Sequence, residues 1–246
     1  MTRLLIPGRF NGPPRSANGG FVAGSLAEHV PDSAQRAVEV TLRRPPPLET
    51  VMAVEERDGT TVLHLDGEPV AEARVVDQEL QAVEGVDPDV AAEAMLGYPG
   101  RTHHPFPTCF GCGPERAEGD GLRIFPGPVA GDRGHVASLW VPAESHAGTG
   151  DLLDKVHRVG ADATWAALDC VGGWSEDLEG RPCVLGRMTA RVDALPVVEE
   201  PHVVVGRHLG ADGRKSFTAS TLYDSDGRVV GAARHTWIQV DPAAFN

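Results

Sequence analysis

The second half of this chain replays the first. Ser16-Ala17-Asn18-Gly19-Gly20-Phe21-Val22-Ala23-Gly24-Ser25-Leu26-Ala27 reads as a loop running into a helix of small and apolar residues. Gly160-Ala161-Asp162-Ala163-Thr164-Trp165-Ala166-Ala167-Leu168-Asp169-Cys170 reads the same way. Alternating β-branched runs follow each, punctuated by Pro, Gly and Asp. A helix so apolar has no face for water, so a sheet must wrap it. Two such units predict an internal duplication, with a site at the seam between them.

The first helix is predicted over 16–28, with Ser16 as N-cap. Strands are predicted at 4–6, 37–43, 50–56, 60–65 and 70–76, with turns at Asp58-Gly59 and Asp66-Gly67, an antiparallel meander. In the second half the pattern predicts strands at 121–125 and 135–141, then a helix over 159–172. Further strands follow at 184–192, 203–208, 216–223 and 229–240, with turns at Asp212-Gly213 and Asp226-Gly227. Residues 78–107 break the pattern, with a short helix at 87–96 whose first position is Pro88. The units are therefore 1–77 and 108–246, joined by a surface connector at 78–107.

A chain of 246 residues holds one large domain or two small ones. Its formal charge of −13 argues against nonspecific nucleic-acid or anionic-membrane binding. No apolar run approaches the roughly 18 residues that a membrane span requires. The N-terminal Met1-Thr2-Arg3-Leu4-Leu5-Ile6-Pro7 does not read as a secretory signal. Four cysteines in so long a chain argue against a disulfide framework and for a cytoplasmic setting.

A helix followed by a meander, twice over, resembles the hotdog fold in its tandem (double) form. That is an α+β architecture in which two central helices are each wrapped by a curved antiparallel sheet. Many hotdog acyl-CoA thioesterases carry His-Gly-Gly at the helix entrance and an acid nine positions after the His. The first half keeps Asn18-Gly19-Gly20 but has Ala27 where the acid would fall. The second half starts Gly160-Ala161-Asp162 and has Asp169 nine positions after Gly160. Each half thus holds one part of the motif, and the His is absent.

The resemblance covers most of the chain outside 78–107. It implies a thioester hydrolase working at the seam, with coenzyme A present only as part of the substrate and no resident cofactor. Gly19 and Gly20 would supply helix-start amides, Asn18 would orient, and Asp169 would act as base or nucleophile. Amides at a helix start are unsatisfied donors at the positive end of the dipole. Aimed at a developing oxyanion, each is worth roughly 3–4 kcal/mol. The plainer readings are that Asp169 meets Arg187 or Arg191, that Gly19-Gly20 serves helix packing, and that Asp162 answers the dipole alone.

Arg207, Arg214 and Lys215 form the best basic patch for coenzyme A phosphates. Trp165 and Trp174 either line an acyl tunnel or pack in the core. Cys109-Phe110-Gly111-Cys112 has the spacing of a zinc half-site, with His103 and His104 upstream. Cys170 and Cys183 stand apart in sequence, so no metal is expected, and Cys109 and Cys112 remain only weak candidates for one. Two other functions compete: a noncatalytic acyl-CoA binder, and an enoyl-thioester hydratase using Gly150-Asp151 and His157. Sheet edges would also permit a homodimer.

Overall fold

Paired Asp-Gly turns give the first meander its shape. Asp58 and Gly59 both have positive φ, as do Asp66 and Gly67, the geometry of tight two-residue hairpins. The computed structural model describes residues 2–148 and 155–245. Its first elements are β1 (Thr2–Leu5), α1 (Gly19–Ala27), β2 (Ala37–Leu42), β3 (Val51–Arg57), β4 (Thr60–Leu65) and β5 (Glu68–Val76). After α2 (Pro88–Leu96) come β6 (Gly127–Pro128), β7 (His135–Trp140) and α3 (Ala161–Gly173). The chain closes with β8 (Cys183–Val192), β9 (His202–Asp212), β10 (Lys215–Tyr223) and β11 (Val229–Gln239).

All the described strands join one 11-stranded sheet in the order β1-β3-β4-β5-β2-β8-β11-β10-β9-β7-β6. Read outward from the β2–β8 joint, both sides run alike. The strand after the helix pairs with the last strand of its own group, and the middle strands follow. The joint is antiparallel, with Val38 opposite Ala190, Glu39 opposite Thr189, Val40 opposite Met188 and Thr41 opposite Arg187. Large antiparallel sheet and few helices make this an α+β protein.

The two long apolar helices lie against each other inside the curve of the sheet. Every residue of α1 after Gly19 is buried, and so is α3 from Ala163 onward. Two glycines set the approach. A Cβ on Gly20 would fall 2.4 Å from Asp169 Cβ, and one on Gly24 would fall 2.7 Å from Asp162 Cα. Small residues are therefore required where the helices touch. Around them Val22, Leu26, Leu168 and Val171 are fully buried, each worth about 1.5–3 kcal/mol.

The segment 78–107 packs closely on the rest of the chain. On β10, Ser220 turns its hydroxyl to Leu168 O, while Thr221 on the opposite face accepts the Val83 N–H at 2.9 Å. Alternation along the strand thus puts α3 on one face and the stretch around Val83 on the other, while Tyr98 and Phe106 pack on the helix side. Val83 packs with Ala219, Val203 and Val205, and Leu80 with Ala37 and Ala232. The helix at 88–96 starts with Pro88 at its first turn, as expected.

Three local expectations change. Asn18, not Ser16, caps α1, because Ala17 N–H donates to Pro46 O and Asn18 N–H to Phe10 O, holding the preceding chain extended. Residues 121–125 are irregular rather than a strand. Arg123 has φ of 54°, and Leu122 and Ile124 donate to Phe110 O and Gly111 O instead of to a neighbouring strand. The turn after β9 is shifted by one position, since Asp212 pairs with Lys215 and leaves Gly213-Arg214 as the connection.

Candidate functional site

Asn18 builds the site from the helix start. Its Oδ1 accepts the Phe21 N–H at 2.8 Å, the ordinary N-cap bond. The same side chain turns Nδ2 toward the sulfurs of Cys109 and Cys170, 3.7 Å from each. One residue on, Gly19 N–H has no acceptor among the described residues. Gly20 N–H donates to Asp169 Oδ2 at 2.8 Å, across the contact between α1 and α3.

Asp169 is 2% exposed, and its Oδ1 has no partner among the described residues. Burial pushes its carboxyl up to about 7, against the Gly20 N–H, which favours the anion. Neither Arg187 nor Arg191 reaches it. Arg187 donates to Thr41 and pairs with Glu39, and Arg191 pairs with Asp193.

A cavity of about 230 Å³ opens beside this contact. Asn18, Gly19, Asp169 and Cys170 form part of its wall, with Leu42 to Pro46 on one side and Val184 to Gly186 on another. Its lining is mostly apolar, with few polar groups converging, as in small-molecule sites generally. Arg43 and Arg44 on the wall are residues the sequence reading passed over, because Pro45-Pro46-Pro47 read only as a strand end.

The other expected residues lie elsewhere. Arg207 clamps Asp132 with two bonds of 2.6 and 2.7 Å, Arg214 donates to Gln239 O, and Lys215 is exposed; none lines the cavity. Trp165 is buried beneath Gly24 and is likewise absent from the wall, whereas Trp174 belongs to it. Gly20 is not free to act as an amide donor to substrate, since Asp169 takes its N–H. Gly150-Asp151 lies outside the described residues, and His157 pairs with Glu144 at the surface.

The Cys-x-x-Cys loop is buried at the same wall. Cys109 and Cys112 are joined there by Cys170 of α3, the three sulfurs lying within 4.8 Å of one another. His104 sets Nε2 3.3 Å from Cys112 Sγ, while His103 is exposed and faces Glu179. Cys170 was missed because it stands 61 residues from Cys109. The available signal was its place next to Asp169, on the face of α3 that meets α1. Cys183 is separate, donating to Arg181 O.

The sequence matches no family model and no curated protein. Solved structures do resemble the fold over nearly its whole length. A candidate thioesterase from Novosphingobium aromaticivorans superposes with a TM-score of 0.61 at 11% identity, covering 97% of this chain and 95% of that one. Acyl-CoA thioesterase II from Mycobacterium marinum gives 0.55 at 16% identity, covering 99% and 94%. A hot dog fold protein of unknown function from Alicyclobacillus acidocaldarius gives 0.55 at 14%, covering 98% and 93%. The architecture is that of the hotdog fold.

Proposed function

We propose that the chain is a tandem hotdog protein, with units 1–77 and 108–246 joined by 78–107, that hydrolyses an acyl-CoA thioester at the seam. One observation carries this reading: the Asp169 carboxylate from one half rests on the Gly20 N–H of the other, on a cavity wall beside the unengaged Gly19 N–H. The likeness in fold to an acyl-CoA thioesterase supports the substrate class.

In this reading the thioester carbonyl meets Gly19 N–H, at the positive end of α1. Asp169 either takes a proton from a water that attacks the carbonyl carbon, or attacks it directly to form an anhydride that water then cleaves to the free acid. The carbon–sulfur bond breaks and coenzyme A leaves as the thiol. Gly20 orients the carboxylate rather than the oxyanion, and Asn18 fixes the helix start. Arg44, whose guanidinium donates to the Leu65 and Glu68 carbonyls, supplies positive charge for the phosphates in place of the Arg207 patch, while Arg43 beside it is paired with Glu72.

The test is thiol release from short, medium and long acyl-CoAs, with wild type set against Asp169→Asn. The variant keeps the acceptor for Gly20 N–H but loses the base, so turnover falls at least ~10²-fold. Wild-type binding of acyl-CoA without turnover of any ester would instead identify a noncatalytic binder.

A further inference from the structure

Three side-chain donors converge on the three buried sulfurs beside the cavity. Asn18 Nδ2 faces Cys109 and Cys170 at 3.7 Å. His104 Nδ1 accepts the Phe106 N–H at 2.9 Å, which places the ring proton on Nε2, directed at Cys112 Sγ. Trp174 Nε1 is buried beside Cys112 and has no conventional acceptor among the described residues. A bound cation would hold all three as thiolates, which these donors would then serve.

We propose that Cys109, Cys112 and Cys170 bind one zinc ion through their thiolates. Tetrahedral zinc with bonds of about 2.3 Å sets its sulfurs about 3.8 Å apart. Cys109 and Cys170 stand at 3.7 Å. Two thiols in van der Waals contact meet at a similar distance, but that does not account for the third sulfur or the converging N–H groups. Cys-x-x-Cys supplies two ligands from one tight loop, where a Cβ on Gly113 would strike Pro107 O at 2.5 Å. A Cβ on Gly111 would strike Cys170 Sγ at 2.6 Å, so the loop also admits the sulfur from α3.

His104 acts on the site as a donor to the Cys112 thiolate, not as a ligand, because its proton sits on the nitrogen facing the sulfur. Such outer bonds orient and tune a metal's ligands. The fourth position is then left to a water or an exogenous group from the cavity, which all three cysteines line. Structural zinc sites close that position, and sites that handle ligands keep it open.

Metal analysis of the whole chain, loaded with zinc under reducing conditions and then desalted, is the direct test. One zinc per chain is expected in wild type and in the control Cys183→Ser. Cys109→Ser, Cys112→Ser and Cys170→Ser should each lose it, with circular dichroism reporting whether each variant folds. Should the variants unfold, cobalt titration of wild type decides, since three thiolates give an intense sulfur-to-cobalt charge-transfer band. His104→Gln should retain the metal, and a small thiol such as 2-mercaptoethanol should shift the cobalt bands at the open position. A metal-free wild type without that band overturns the proposal, as does a Cys170→Ser protein that keeps full zinc. Loss of zinc in a folded His104→Gln protein, or cobalt bands indifferent to added thiol, overturns the open fourth position. None of these readouts depends on thioester turnover.

Discussion

His235 shows how one residue can set the acid limit of the fold. It lies on β11 at 3% exposure, with Nδ1 3.1 Å from Thr218 Oγ1 and Nε2 without a partner among the described residues. Burial pushes its pKa down from 6.5 to about 4, so the folded protein keeps the ring neutral. Between those values the unfolded chain takes up a proton that the folded chain refuses. Stability from the neutral ring is therefore complete above 6.5 and is lost as pH falls to about 4, a loss of about 3 kcal/mol. Urea midpoints measured from pH 7 to pH 4 should drop less steeply in His235→Gln than in wild type. An unchanged slope would move the effect to another buried ring, of which His146, also at about 4, is the first to examine.

At the scale of elements, the contact between α1 and α3 decides both stability and the site. Gly24 is the cleaner probe, because it sits a turn beyond the residues that line the cavity. Replacing it with Ala adds helix propensity worth about 1 kcal/mol. The new methyl, however, would lie 2.7 Å from Asp162 Cα and 2.8 Å from Trp165 Cβ, and a helix backbone does not yield cheaply. Overpacking of this kind costs about 1–3 kcal/mol. Gly24→Ala should therefore lower the urea midpoint despite the better helix former. A midpoint at or above wild type would mean that the helices can slide apart without loss.

Among the joints between the two halves are the helix contact and the β2–β8 pairing. Met188 and Val40 face each other across the second, both fully buried. A sheet continuous through this joint, with one core beneath it, should unfold as a unit even though its halves look alike. Met188→Ala is expected to cost about 2–5 kcal/mol and to shift a single calorimetric transition. Two resolved transitions, of which only one moves, would mean that the halves unfold separately.

Much of this was legible in the order of residues. Period-two alternation marks β2, and Asp-Gly pairs mark the hairpins of the first meander, because both signals arise from neighbours along the chain. The apolar helices demanded an enclosing sheet, since nothing else could cover all their sides. The resemblance to the hotdog thioesterase motif pointed to Asp169 and to Asn18-Gly19-Gly20. Tertiary structure decided the rest. It moved the α1 cap to Asn18 through bonds to Phe10 and Pro46, tied 121–125 to the Cys-x-x-Cys loop, and assigned Gly20 N–H to a carboxylate 149 residues away. It also brought Cys170 to Cys109 and Cys112. Local pattern determines which residues form helix and strand, but which side chains meet depends on how closely two helices pack, and only the folded chain settles that distance.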